Sequence, residues 1–134
     1  MNAEKRAFLV RYRNIKNSVD RLKQKVTKLD EKIVAIKAPD ISGIPRGRTR
    51  RGSYDLIDEK SDLERRIECL EARGKIYRDE IIEKIDALED IRYIDVLESY
   101  FVDCLEFMDI AVQQGYSERH IRRLYSEAIG KIEL

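Results

Sequence analysis

The sequence predicts an all-α protein in which a long antiparallel helical hairpin, residues 1–90, precedes a small helix-turn-helix domain, residues 91–134. The hairpin is predicted because apolar residues recur at alternating steps of three and four over residues 3–37 and again over 54–90, the spacing of a coiled-coil contact face. The domain is predicted because two shorter amphipathic stretches flank the turn sequence Gly-Tyr-Ser. The composition agrees with this, since 40% of the residues are charged and only two are proline.

The first long helix carries an apolar seam, a line of apolar residues that keeps the alternating steps of three and four from Phe8 to Ile36. A stripe this narrow on a charged helix needs a partner surface, because an isolated helix of this kind is marginal in water. We expect the helix to stop near Ala38, since Pro39 disfavours the helical conformation of the residue before it. The seam positions are Phe8, Tyr12, Ile15, Val19, Leu22, Val26, Leu29, Ile33 and Ile36.

The second long helix carries apolar residues at nearly the same spacing, and it supplies the partner surface. The two seams predict a hairpin that is closed by the loop at residues 38–53. The alternative is that the seams of two chains meet. Both can hold at once in a homodimer with a four-helix core, which we expect because Gly74, Lys60 and Lys84 weaken a purely internal seam. The second seam consists of Leu63, Ile67, Leu70, Gly74, Tyr77, Ile81, Ile85 and Leu88.

The loop at residues 38–53 is predicted to be irregular and basic. Three glycines and two prolines keep it from regular structure. Arginines in a flexible loop suit DNA phosphates, whose contact releases counterions and adds affinity without sequence preference. The competing interpretation is a solvated hairpin tip that has no partner. The arginines in question are Arg46, Arg48, Arg50 and Arg51.

The C-terminal stretch predicts two short helices joined by a tight turn. Gly115 follows the first apolar face at the position where a left-handed residue ends a helix, and Ser117 lies where the N-cap of the next helix belongs. A third helix over residues 91–101 is expected to support the pair, because two short helices bury too little surface alone. The apolar positions of the pair are Phe107, Ile110, Ala111 and Gln114, then Ile121, Leu124, Tyr125, Ala128 and Ile132.

The outward face of the last helix, residues 118–132, is basic near its beginning. Guanidinium groups at the start of a recognition helix suit phosphate oxygens and guanine edges in the major groove of double-stranded DNA. A solvated helix face without a ligand is the alternative. The candidate DNA-binding residues are Ser117, Glu118, Arg119, His120, Arg122, Arg123 and Ser126.

The C-terminal third resembles region 4 of bacterial sigma factors, and it is more similar still to short phage and prophage proteins such as the ArpU-like late-gene regulators. Two departures stand out: Phe107 replaces a frequent tryptophan, and residues 100–104 lack the glycine expected ahead of the first helix of the pair. The resemblance implies DNA binding and a contact with RNA polymerase. The residues that carry it are Ile110, Ala111, Gly115, Tyr116, Ser117, Glu118, Arg119, Arg123, Leu124, Ala128 and Ile129.

Other classes of function find little support in the sequence. It contains no glycine-rich phosphate loop, no His-Glu-x-x-His and no nucleophile turn, so no enzyme is predicted. One histidine and two distant cysteines do not suggest a metal site, and no cofactor is expected. No apolar run reaches the ~20 residues that span a bilayer, and the sequence starts without a signal peptide. We therefore expect a cytoplasmic location in the host cell.

These observations favour a sequence-specific DNA-binding transcription regulator of a phage or prophage. Two other hypotheses remain open. One is a DNA-packaging or assembly component, like a small terminase subunit, which uses the same helix-turn-helix within a ring of many subunits. The other is an interaction protein that no longer binds DNA. The mass in solution separates the first two, because a dimer favours the regulator and an octamer or larger ring favours packaging.

Overall fold

The computed structural model describes residues 2–37 and 47–134, except for the side chains of residues 37 and 47–53. This part of the chain is helical and contains no β-strand, which confirms the predicted all-α class. A π-helical turn, Glu98–Val102, follows the third helix directly. The helices are α1 (Asn2–Lys37), α2 (Gly47–Asp86), α3 (Ile91–Leu97), α4 (Phe107–Gln114) and α5 (Glu118–Lys131).

The helices form two compact units. One unit, Asn17–Ala72, holds the later part of α1 and the earlier part of α2. The other unit combines Met1–Lys16 with Arg73–Leu134 and so contains α3, α4 and α5. We call the first the hairpin unit and the second the C-terminal unit. Both long helices contribute one end to the C-terminal unit.

In the hairpin unit the two seams bury each other within one chain. Val19, Leu22, Leu29 and Ile33 of α1 and Ile67 of α2 are all at most 8% exposed. Ion pairs join Lys23 to Glu71 at 3.3 Å and Lys60 to Asp30 at 2.6 Å. Higher residue numbers in α1 meet lower ones in α2, so the helices are antiparallel, as the sequence predicts. Lys60 is thus accommodated at the edge of the seam, and the hydrogen bond that it donates to Asp30 raises the pKa of Lys60.

In the C-terminal unit Gly74 allows α1 and α2 to approach closely. A Cβ atom at this position would lie 3.0 Å from Cγ2 of Ile15 and 3.7 Å from the ring of Tyr12. A contact of 3.0 Å is shorter than the optimal separation of carbon atoms, ~3.5–4.0 Å. The absence of a side chain at Gly74 therefore strengthens helix packing here, whereas the sequence suggested that it weakens the seam.

Gly74→Leu is expected to destabilise the protein by about 1–3 kcal/mol, because its side chain overpacks the contact with Tyr12 and Ile15. The melting temperature followed by circular dichroism should fall by several degrees. Gly130→Leu is the matched control: Gly130 also lies in a helix, but a Cβ atom there meets nothing within 4 Å. A control variant that melts as early as Gly74→Leu would contradict this account of the close approach.

The core of the C-terminal unit depends on α1 as well as on the C-terminal helices. Leu9 is fully buried and belongs to one cluster with Ala128, Ile129 and Ile132. Burial of a leucine side chain contributes about 1.5–3 kcal/mol relative to its exposure to water. The hydrophobic core of helices α3–α5 therefore includes side chains from the beginning of α1. The same cluster includes Ile81, Ile85, Leu97, Phe101 and Val102.

Part of the predicted loop at residues 38–53 is helical in the structure. Helix α2 begins at Gly47, so residues 47–53 belong to a helix and not to the loop. Arginine is a good helix former, and this preference overrides the breaking tendency of Gly47 and Gly52. Arg46 lies outside the described residues. The backbone of Arg48, Arg50 and Arg51 is helical, and their side chains lie outside the description.

The chain turns after α2 and leads into α3. Helix α2 ends at Asp86, and Asp90 caps α3 by accepting a hydrogen bond of 2.9 Å from the backbone N–H of Arg92. Hydrogen bonds from the side chain and backbone of Arg92 lower the pKa of Asp90.

Past the π-helical turn, Cys104 has φ 60°, in the left-handed region that favours glycine. The glycine absent from residues 100–104 is thus replaced by a strained non-glycine residue. None of the described helices is long and apolar enough to cross a bilayer.

Candidate functional site

Helices α4 and α5 are joined by the turn that the sequence predicts. Gly115 has φ 72° and ψ 27°, so it takes the left-handed conformation that ends α4. The backbone N–H of Tyr116 donates to the carbonyl of Ala111 at 3.1 Å. Ser117 then caps α5 by accepting a hydrogen bond of 3.1 Å from the N–H of His120. The predicted roles of Gly115 and Ser117 are confirmed, and α5 ends at Lys131, one residue earlier than predicted.

The apolar faces of the two helices pack on each other and on α3. The predicted faces are confirmed, and Ile129, which helical periodicity did not place on the apolar face, is also buried. A hydrogen bond of 3.0 Å from the hydroxyl of Tyr93 to Glu127 ties α3 to α5. This bond to a carboxylate raises the pKa of Tyr93. The cluster consists of Val96, Ile110, Ala111, Ile121 and Leu124.

Four aromatic side chains fill the space between α4, α5 and the π-helical turn. Tyr100 stacks on Phe107 with ring centroids 4.7 Å apart and an angle of 11° between the planes. Tyr125 meets Tyr100 and Phe107 edge to face at 5.1 and 5.0 Å. Phe101 completes the group and is 1% exposed. Burial raises the pKa of Tyr125. The group fixes the angle at which α5 leaves the turn, because packed rings tolerate little displacement.

The candidate residues on α5 lie on its outer side. Arg119, Arg122, Arg123 and Ser126 are exposed, and His120 is half-buried. Arg119 makes no hydrogen bond or ion pair with any described residue, so its five N–H donors face solvent. A shallow depression of the surface is lined by Ser117, Arg119, His120 and Arg123. The structure thus brings these four side chains together around the first turn of α5.

Two of the arginines are held by neighbours on the same helix. The guanidinium of Arg122 donates to Glu118 at 2.8 Å and lies over the ring of Phe107, 4.7 Å from its centroid. Nη2 of Arg123 lies 3.0 Å from Nδ1 of His120, and its Nε lies 4.0 Å from Glu127. Exposed pairs of this kind contribute little to stability. They restrict the side-chain rotamers, so less conformational entropy is lost when a ligand is contacted.

Sequence reasoning missed Arg13, which is 9% exposed and is the buried charged side chain of the described residues. It donates to the carbonyls of Tyr100 and Leu105 and to the carboxylate of Glu106. No local signal marks it, because Arg13 stands next to a seam residue on a helix that is rich in arginine. Its burial arises from packing against residues about ninety positions later in the chain.

Other features of the surface are less organised. Met108 and Val112 are 65% and 80% exposed on the outer face of α4. Over residues 2–37 and 47–134, no cluster of three or more histidine, cysteine, aspartate or glutamate side chains is placed to hold a metal ion.

Comparison of the chain with protein families, with curated proteins and with solved structures finds no match.

Proposed function

We propose that the protein is a sequence-specific DNA-binding transcription regulator of a phage or prophage, and that α4 and α5 form a helix-turn-helix that places α5 in the major groove. The observation that carries the proposal is the division of α5 into two faces. Ile121, Leu124 and Ala128 are at most 2% exposed, whereas Arg119 and Arg123 project into solvent. A helix that docks by one face and presents guanidinium groups at its N-terminal end has the form of a recognition helix.

The exposed side chains of α5 have different roles in DNA binding. Arg119 and Arg123 read base edges, because an arginine can donate two hydrogen bonds to O6 and N7 of guanine. Arg122 contacts a phosphate, since its orientation is already set by Glu118 and Phe107. Ser117 and the first N–H groups of α5 approach a phosphate at the helix N-terminus. His120 and Ser126 border this surface, where water-mediated contacts are common.

Further parts of the proposal rest on the sequence. The arginines at positions 46, 48, 50 and 51 add phosphate contacts. Two chains pair through the hairpin unit, in which Val34 and Tyr54 leave apolar side chains 67% and 71% exposed. RNA polymerase in the host cytoplasm is the protein partner that the resemblance to sigma region 4 implies.

Selection of duplexes from a random DNA library by the wild-type protein tests the proposal. We expect one sequence family to be enriched and to bind at least about a thousandfold more tightly than a scrambled duplex of equal length. Affinity should fall steeply with salt, with a log–log slope of about −0.9 for each phosphate contact. Equal affinity for selected and scrambled duplexes, or no binding at moderate salt, would sink the proposal and favour the interaction-protein hypothesis.

A further inference from the structure

Arg13 of α1 is bonded to the segment that leads into α4. Its Nη1 donates to the carbonyl oxygens of Tyr100 at 2.9 Å and Leu105 at 3.0 Å, and its Nη2 donates to Glu106 at 2.5 Å. A buried guanidinium must find acceptors for its N–H groups, because an unpaired buried charge is strongly unfavourable. Here the acceptors come from one short segment of chain. Arg13 therefore fixes the place at which α4 begins.

The segment that Arg13 holds has little regular structure of its own. It runs from the π-helical turn through Cys104, whose φ of 60° is a left-handed conformation for a residue with a side chain. Such a conformation persists only where the surrounding structure imposes it. Glu106 lies at the N-cap of α4, and its backbone N–H donates to Asp109 at 3.4 Å. The ion pair of Glu106 with Arg13 thus joins α1 to the first turn of α4.

A continuous stack connects Arg13 with the exposed face of α5. The guanidinium carbon of Arg13 lies 4.0 Å from the ring centroid of Tyr100. Tyr100 stacks on Phe107 at 4.7 Å, and the guanidinium of Arg122 lies over Phe107 at 4.7 Å. Guanidinium groups bind ring faces, and rings prefer such offset stacks. The pair of stacked rings therefore lies between two guanidinium groups, that of Arg13 from α1 and that of Arg122 from α5.

We propose that Arg13 is a positioning residue for DNA binding, which acts through the Tyr100–Phe107 stack to hold Arg122 in its binding orientation. The inference rests on the proposed function. It assigns to the first long helix a part in DNA recognition that is separate from dimerisation. Loss of the planar guanidinium at position 13 frees Tyr100 and then Phe107 to move. Arg122 then no longer stacks on a fixed ring, so its side chain loses more conformational entropy when it contacts a phosphate.

The test is a double-mutant cycle between Arg13→Lys and Arg122→Ala, with affinity for the selected duplex as the measurement. Lysine keeps the charge at position 13 but lacks the planar fork. We expect Arg13→Lys to weaken binding about fivefold in the wild-type background, and less than about twofold when Arg122 is already alanine. Melting curves of each variant ensure that all are folded at the assay temperature. A residue that only stabilises the fold would weaken binding equally in both backgrounds.

Arg11→Lys is the matched control. Arg11 also lies in α1, contacts the rings of Phe8 and Tyr77, and pairs with Glu80 at 2.7 Å. It makes no hydrogen bond, ion pair or ring contact with Tyr100, Phe107 or Arg122, so we expect unchanged affinity in either background. If Arg13→Lys fails to fold, Tyr100→Leu takes its place, since it removes the stack but leaves the backbone acceptor. This variant should show the same dependence on Arg122.

The outcomes separate the inference from the function on which it rests. A wild-type protein that enriches no duplex removes the proposed function itself. If the wild-type protein binds, equal effects of Arg13→Lys in the two backgrounds, or no effect in either, overturn the positioning role and leave the proposed function standing. A loss confined to the background that retains Arg122 supports it.

Discussion

Replacement of Ala128 by arginine is expected to abolish the folded C-terminal unit. Ala128 is 0% exposed and packs among Leu9, Phe101 and Ile132. A guanidinium there would be buried without a partner, at a cost of several kcal/mol, and its length would force apart α1 and α5. Since folded domains have a total stability of only about 5–15 kcal/mol, this one substitution should remove most of it.

Thermal unfolding followed by circular dichroism measures the effect of Ala128→Arg. Ser126→Arg is the control, because Ser126 lies on the same helix and is exposed. It should melt within a few degrees of the wild-type protein. If the Ala128→Arg protein unfolds as cooperatively and at the same temperature as this control, the assignment of Ala128 to the core is wrong.

Arg119→Ala and Arg123→Ala are each expected to reduce affinity for the selected duplex about ten- to a hundredfold. A bidentate contact between arginine and guanine is worth roughly 1–3 kcal/mol of discrimination. Affinity for a scrambled duplex should fall much less, because base contacts are few there. The fold should be unaffected, since both side chains are exposed and the contacts of Arg123 with His120 and Glu127 are of the kind that contributes little to stability.

Binding isotherms of each variant on selected and scrambled duplexes, together with melting curves, decide between the possible roles of these arginines. Arg65→Ala serves as the control, since Arg65 is an exposed arginine of α2 whose ion pair among the described residues is with its helix neighbour Asp62. Full specific binding by both Arg119→Ala and Arg123→Ala would mean that α5 does not read DNA by this face. The interaction-protein hypothesis would then take precedence.

Much of the fold could be predicted because its signals are local. Apolar side chains at steps of three and four identify both long helices, and every one of the predicted seam positions is buried or half-buried. Gly115 and Ser117 were predictable for the same reason: left-handed backbone and N-capping depend on the residue itself and its nearest neighbours. The apolar and exposed faces of α5 then follow from helical periodicity.

Other features depend on contacts between distant parts of the chain, and the sequence did not reveal them. Leu9 lies beside the seam and not in it, yet it is fully buried in one cluster with Ala128 and Ile129 of α5. Arg13 is buried where it contacts residues 100–106, about ninety positions later in the chain. The left-handed Cys104 was not predictable either, since its conformation is imposed by its surroundings. The beginning of α2 at Gly47 differs from the prediction because the helical preference of the arginines outweighs the breaking tendency of Gly47 and Gly52.

The place of the beginning of α1 in the C-terminal unit has a consequence for the order of folding. The hydrogen bond from Lys5 to the carbonyl of Gly130 spans 125 positions, and that from Arg13 to Glu106 spans 93. Contacts so distant in sequence slow folding, because a long loop must close before they can form. During synthesis Leu9 leaves the ribosome well before its partners Ala128 and Ile129. The hairpin unit, whose contacts are nearer in sequence, can form first, while the C-terminal unit must wait for nearly the whole chain.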